Sequence, residues 1–320
     1  MNRTALYDVT TLGELVIDLL PAPSAGGLSF EAKPGGAPGN VAAGVARLGF
    51  RTAMITKVGD ETFGRAAAAA LAEAGVAVEG VVLSPAHHTA LAVVSRNEAG
   101  DASYIFYREN CADSNLTVDD LPLDLIAASR VLHVGTLLLA TQRSAAAQRH
   151  ALNVAKGQGV LISTDMNFRR SFWQDAEAMR SAGRERVRAA SIAKVSRDEL
   201  ALMADAGELA DGVRSLWHDG MIAFAVTCGS EGAWLFTAES HVFVPAFSID
   251  PVDTIGCGDA FMASLLAGLL QARGLPPAPE LLPTIATRAS AAGALMALRR
   301  GALENMPTSR EIDTFLAERS

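Results

Sequence analysis

Apolar and polar positions follow two rhythms along the chain. Short apolar runs at residues 6–12, 50–56, 130–134, 160–164, 192–195 and 222–226 read as strands buried on both faces. Between them, residues 38–48, 62–74 and 143–156 repeat apolar positions at helical spacing, the second stretch ending at Gly75. Strand alternating with helix predicts parallel βαβ units, hence an α/β fold with a mostly parallel sheet flanked by helices. Two segments break the rhythm. Residues 89–95 and 102–108 alternate and flank a Gly-Asp turn signal at 97–101, which predicts an antiparallel hairpin. Residues 15–20 and 28–33 can add two strands beside it. A small sheet outside the main body, within 15–33 and 89–108, is expected to act as a lid or a subunit interface. The last third is helical at 259–273, 280–298 and 309–319, and the Pro-rich residues 275–279 read as a loop. No repeat interrupts the pattern, so one domain is expected over residues 1–320.

Composition narrows the function classes. The chain has 320 residues, half of them hydrophobic, enough for a large core. Only 19% are charged and the net charge is −8, without a Lys/Arg run, which argues against a nucleic-acid surface. No apolar run reaches the ~18 residues of a membrane span. Residues 1–8 lack a basic-then-apolar leader, and Cys111, Cys228 and Cys257 form neither a zinc pattern nor a disulfide framework. A reducing, cytoplasmic setting is expected.

The strongest chemical signal is Asp253-Thr254-Ile255-Gly256-Cys257-Gly258-Asp259, followed directly by an apolar helix. Two glycines permit a tight turn that gathers backbone N–H groups, and the helix start adds unpaired N–H groups and a positive dipole end. That combination makes an anion hole. Asp259 at its mouth, with its ionised form favoured by the helix end, is placed to take a proton from a hydroxyl. The local chemistry equally allows Asp259 to be a helix cap. Phe261 replaces the third glycine of a dinucleotide fingerprint, and no G-x-x-x-x-G-K-[ST] exists, so neither common phosphate loop is present. The second cluster is Gly35-Gly36-Ala37-Pro38-Gly39-Asn40. Gly36 allows close backbone approach and Asn40 offers a donor and an acceptor, which suits a polyol. A turn running into a helix explains it equally well.

These clusters resemble the two signatures of the ribokinase-like (PfkB) sugar kinases: G-G-x-x-x-N before a helix, then D-T-x-G-x-G-D. The likeness continues through Gly13-Glu14 with Asp18, Gly59-Asp60 with Phe63-Gly64, Phe106-Tyr107-Arg108 and Asp165-Met166-Asn167-Phe168-Arg169. It extends to Lys194-Val195-Ser196 with Glu199, Thr227-Cys228-Gly229 with Gly232, and Arg299-Arg300-Gly301-Ala302 with Pro307. It covers almost the whole chain and is most similar to fructokinases. Aminoimidazole-riboside kinases share much of the pattern, and 2-keto-3-deoxygluconate kinases share the aromatic-Arg piece. The resemblance implies an ATP-dependent sugar kinase using Mg²⁺, and K⁺ as a possible further ion. It casts Asp259 as base and Gly256, Cys257 and Gly258 as anion hole. It gives Asp18, Gly35, Gly36, Asn40, Arg108 and Arg169 to the sugar, and Lys194, Ser196, Thr227, Gly229 and Gly232 to the nucleotide. Glu199 would support Mg²⁺ indirectly, and Asp253 a monovalent cation.

A homodimer through the lid would fit the same pattern. Ile255 and Cys257 depart from the usual Thr and Ala, Leu298 stands where many relatives have Thr, and Ser196 replaces Asn. The first three bear on K⁺ dependence. Cys257 at a helix start is expected to have a lowered thiol pKa. The opposing class is a non-enzymatic sugar or nucleotide sensor on the same fold, against which Asp259 after an intact Gly-x-Gly argues.

Overall fold

The computed structural model describes residues 5–23, 26–96, 102–204, 206–272 and 274–319. The first half of the chain runs β1 (Tyr7–Leu12), β2 (Val16–Pro21), β3 (Phe30–Gly35), α1 (Ala37–Arg47), β4 (Thr52–Gly59), α2 (Thr62–Glu73), β5 (Val76–Ser84), β6 (Leu91–Arg96), β7 (Ala102–Tyr107), α3 (Leu123–Ala127) and β8 (Ser129–Val134). The second half adds α4 (Gln142–Gly157), β9 (Leu161–Asp165), α5 (Ala176–Ala189), β10 (Ile192–Ser196), α6 (Arg197–Met203), α7 (Leu209–Leu216), β11 (Ala223–Thr227), β12 (Gly232–Phe236), β13 (His241–Pro245), α8 (Cys257–Gln271), α9 (Leu282–Ala297) and α10 (Ser309–Ala317).

Among the described residues the strands form two sheets. The larger has the order β13-β12-β11-β10-β9-β8-β1-β4-β5. It is parallel except at β11–β12 and β12–β13, so the parallel body expected from the sequence carries an antiparallel hairpin at one edge. Neighbouring residues of the parallel strands face opposite layers. Val131 packs with α1 and α8 on one side, while Leu132 and Val134 pack with α4 on the other. Both layers are apolar, which is why these strands read as unbroken apolar runs.

The smaller sheet, β3-β2-β6-β7, is the lid. It consists of two antiparallel pairs joined by a parallel pairing of β2 with β6. The turn expected at 97–101 lies outside the described residues. β5, β12 and β13 were not expected from the pattern. No helix of the described residues is long and apolar enough to cross a membrane.

Two helix starts matter for the site. α1 begins after Gly36, whose φ of 104° is open to glycine, with Pro38 in the first turn. A Cβ on Gly36 would also lie 2.6 Å from the Glu14 carbonyl oxygen. α8 begins after Gly256 in the left-handed conformation. α1 and α8 pack closely because a Cβ on Gly44 would stand 2.6 Å from the Ala263 Cβ. Gly44 lies one turn beyond Asn40, and Ala263 one turn beyond Asp259, so this close approach sets Asn40 against Asp259.

Candidate active site

The C-terminal ends of the parallel strands, where α/β sheets place their ligands, carry most of the motif residues. Asp165 ends β9 and pairs in register with Lys194 of β10, while Ser196 pairs with Thr227 of β11. The lid strands β2 and β7 reach this edge with Asp18, Tyr104 and Phe106. Between lid and body lies a cleft open at its mouth. It is lined by Glu14, Asp18, Gly36, Asn40, Arg169 and Asp259, among others.

Asp259 stands in the first turn of α8 and is buried. Asn40 donates from Nδ2 to its Oδ2 at 2.8 Å. Burial, helped by the charge of Asp165, raises the Asp259 pKa to about 6, although Asn40, Lys194 and Arg169 all favour the carboxylate. The sequence reading favoured ionisation by the helix end. Desolvation outweighs it, and the resulting value suits a base that must both hold and release a proton near neutrality.

Lys194 is buried, with Nζ 2.7 Å from Asp165 Oδ2. Burial opposes its charge, but Asp165 beside it, with Glu199 and Asp259 further off, keeps its pKa above the ordinary value. A Cβ on Gly258 would lie 3.3 Å from this Nζ, so the ammonium sits against the start of α8. Lys194, read from the sequence as a nucleotide residue, thus sets a cation beside Gly258.

Asp18 lies on the lid strand β2 and lines the cleft. Burial raises its pKa to about 7 against the pull of Arg169, and Asp259 pushes the same way as burial. Gly35 on the neighbouring strand is outside the cleft lining. A Cβ there would strike Asp18 Oδ2 at 2.2 Å, so Gly35 leaves room for that carboxyl. Arg169 reaches the cleft from the loop after β9. Its Nη1 donates to Asn167 Oδ1 at 2.5 Å, and its guanidinium lies 5.3 Å from the Tyr104 ring centroid. Asn167 has φ 41°, a conformation Asn tolerates better than most residues.

Arg108 is buried beside the lid. Its Nε donates to Asp113 Oδ2 at 2.5 Å, with both side chains at 2% exposure or less. Its Nη2 has no hydrogen-bond partner among the described residues, and Arg108 is not among the residues that line the cleft. One sequence expectation needs correction. Cys257 is not an activated thiol, because burial, with Asp259 and Asp253 nearby, pushes it up to about 12. Glu199, expected to support Mg²⁺ only indirectly, has both carboxylate oxygens engaged by backbone. Its two carboxylate oxygens accept from the Phe168 and Ser196 backbone N–H groups, each at 2.8 Å, closing a capping box on α6 with Ser196.

The remaining motif residues fall at the expected edge. Thr227 ends β11. Gly229 and Gly232 form the turn to β12, where a Cβ on Gly232 would lie 2.2 Å from the Val244 carbonyl oxygen. Asp253 folds its own loop, accepting from the Ile255 N–H at 3.2 Å. Glu14, Tyr104 and Asn167 line the cleft but were given no role from the sequence.

This geometry sets a buried carboxyl at a glycine-led helix start, in a polar cleft under a lid. The sequence matches the model for "pfkB family carbohydrate kinase" over residues 7–309. It is 36% identical over 310 residues to fructokinase-1 of Zea mays, covering 95% of this chain and 96% of that protein. A fructokinase with bound ATP from Xylella fastidiosa superposes with a TM-score of 0.89 at 28% identity, covering 98% and 99% of the two chains. A double mutant of the Vibrio cholerae O395 fructokinase, bound to fructose, ADP and a potassium ion, gives 0.87 at 29%, covering 98% and 99%. With its two signatures folded into one cleft, and a family match running nearly from end to end, the chain belongs to the pfkB family of carbohydrate kinases.

Proposed function

We propose that this kinase transfers the γ-phosphoryl group of ATP to a hydroxyl of fructose. The observation that carries the choice of sugar is the charge of the cleft. Three carboxyls, Glu14, Asp18 and Asp259, line it against one guanidinium, that of Arg169. A neutral polyol satisfies such a site with its hydroxyls. The carboxylate of 2-keto-3-deoxygluconate would meet like charges, and the charge of Arg108 is already paired with Asp113. A second reading, aminoimidazole riboside, has one observation in its favour: Tyr104 and Phe106 line the cleft and offer aromatic faces.

In the proposed mechanism Asn40 holds Asp259 Oδ2, leaving Oδ1 to take the proton of the attacking hydroxyl. Asp18, Gly36, Asn40 and Arg169 hold the sugar, with Gly35 making room for Asp18. The backbone of Gly256, Cys257 and Gly258 faces the transferring group, and Lys194 supplies positive charge there. Thr227, Gly229 and Gly232 form the nucleotide edge, with Ser196 beside Thr227. The lid keeps water from competing as acceptor. Mg²⁺ at a kinase site is bound through one or two carboxylates together with substrate phosphates and water. Asp165 keeps Oδ1 without a hydrogen-bond partner among the described residues, so it, and Glu199 through water, would hold Mg²⁺. When bound, that ion neutralises charge on the phosphate oxygens. The loop of Asp253 is the proposed site of a monovalent cation.

The exposure of Phe30, Ile105 and Tyr107 on lid strands supports a homodimer joined through the lid. A cytoplasmic location belongs to the same reading. The test compares kcat/KM for fructose, 2-keto-3-deoxygluconate and aminoimidazole riboside under identical ATP and Mg²⁺. Fructose is predicted to lead. A tenfold deficit against either rival, about 1.4 kcal/mol, would refute fructose and leave the kinase in place.

A further inference from the structure

Glu14 sits in the short link between β1 and β2. It is 7% exposed, and it lines the cleft. Its Oε2 lies 3.7 Å from where a Cβ on Gly135 would stand, so the carboxyl presses on the Gly135–Leu137 wall. That wall is fixed from behind, since Gln148 donates to the Gly135 carbonyl at 3.0 Å and Arg186 donates to Gln148 at 2.6 Å. Oε2 accepts no hydrogen bond among the described residues. A buried acceptor without a donor is costly, and such groups in native proteins usually await a partner. The position of Glu14 also differs from that of Asp18. Arg169 acts on both carboxyls, but Arg108 and Asp113 act on Glu14, whereas Asp259, Glu304 and Asp253 act on Asp18. Glu14 therefore has a different set of charged neighbours within the same cleft.

We propose that Glu14 accepts a hydrogen bond from a sugar hydroxyl other than the one phosphorylated, and so determines which neutral polyol the kinase accepts. This rests on the sugar-kinase reading above. Sugar hydroxyls supply the donor that Oε2 lacks, and a substrate without that hydroxyl leaves the carboxyl buried and unmet. The competing explanation is structural: Glu14 balances the charges of Arg108 and Arg169 and touches no substrate.

The experiment measures kcat/KM for single deoxy and deoxyfluoro derivatives of whichever neutral sugar the wild type turns over best. Fluorine cannot donate a hydrogen bond. Wild type, Glu14→Ala and the nearly isosteric Glu14→Gln are compared, with KM for ATP and thermal melts without sugar. At one ring position the wild type should lose at least about tenfold, and in Glu14→Ala that loss should shrink to below about threefold. Penalties elsewhere and KM for ATP should hold, and the sugar-free melting temperature should not fall. Glu14→Gln covers the case in which alanine misfolds, and should weaken the same position selectively through loss of the charge-assisted bond. Unchanged penalties at every position overturn the inference. So does a uniform loss accompanied by a lower melting temperature in both variants, the signature of a structural role. If fructose is not the preferred sugar, only the choice of fructose fails. If no neutral sugar is turned over, both readings fail.

Discussion

Replacing Asp259 by Asn removes the proton acceptor and keeps the shape. Asn40 Nδ2 donates to Asp259 Oδ2 at 2.8 Å, and an amide oxygen in the same place takes the same bond. With burial raising the carboxyl to about 6, it is still more than about nine-tenths ionised at pH 7.5 and is a stronger base than an ordinary Asp. Loss of a positioned base costs ~10²–10⁴-fold, so kcat should drop at least ~10²-fold in a coupled ADP-release assay. In the wild type, kcat/KM should fall as the pH drops below about 6, and the variant should lack that limb. Stability should move the other way. Between the ordinary value of 3.8 and about 6, the folded chain holds a proton that the unfolded chain has lost. The folded state then binds more protons, so stability falls as pH rises through this window, and above it the whole cost is present. A shift of about 2 units corresponds to ~3 kcal/mol as an upper limit. Asn does not ionise. The variant is therefore predicted to be more stable than wild type at pH 8, with an advantage roughly 1 kcal/mol larger than at pH 5. Chemical denaturation at the two pH values reads this out. Turnover within tenfold of wild type in a folded variant would refute the assignment, and an advantage that shrinks from pH 5 to pH 8 would refute the burial argument.

Two further predictions concern Arg108 and Cys257. Arg108→Met should strand the Asp113 carboxylate in the interior and cost about 3–5 kcal/mol in urea unfolding. KM for the sugar should stay within about threefold; an unchanged stability with a large rise in KM would restore Arg108 to the sugar site. Iodoacetamide at pH 7.5 should leave Cys257 unlabelled by mass spectrometry in the folded protein, because a thiol raised to about 12 holds almost no thiolate. Rapid labelling with loss of activity, prevented by ATP and sugar, would reverse that conclusion.

The parallel body and the lid were legible because burial on one or two faces leaves its period in the sequence. Val131 and Leu132 serve opposite helical layers, and both must be apolar. β5 was hidden because Val76–Ser84 is only partly buried and Glu79 and Gly80 break its alternation. The hairpin strands β12 and β13 carry alternation, but Gly232 was read only as part of a nucleotide turn. At the site, the motifs singled out Asp259, Asn40 and Asp18, whose spacing to glycines and helix starts is local, and the fold brings the three to one cleft. Their neighbours were not legible. Nothing in the spacing of Arg108 and Asp113 announces a buried pair, and Ser196-x-x-Glu199 is also a capping-box signature, which the sequence analysis did not draw.

The same limit explains Cys257 and Asp259, which share the first turn of α8. The sequence argument gave both a helix-dipole stabilisation of the anion, an effect worth about 0.3–1 kcal/mol, or up to ~2 in partly buried geometries. Desolvation shifts fully buried groups by as much as 3–5 units, at 1.36 kcal/mol per unit. Wherever a helix start is itself buried, as α8 is between α1, α9 and the sheet, the larger quantity decides the direction. Both groups move up. For the thiol, that movement removes reactivity. For Asp259 it stops at about 6, because Asn40, Lys194 and Arg169 counter the burial. Those three partners come from α1, β10 and the loop after β9, so the pKa of the base is set by the packing of the whole cleft.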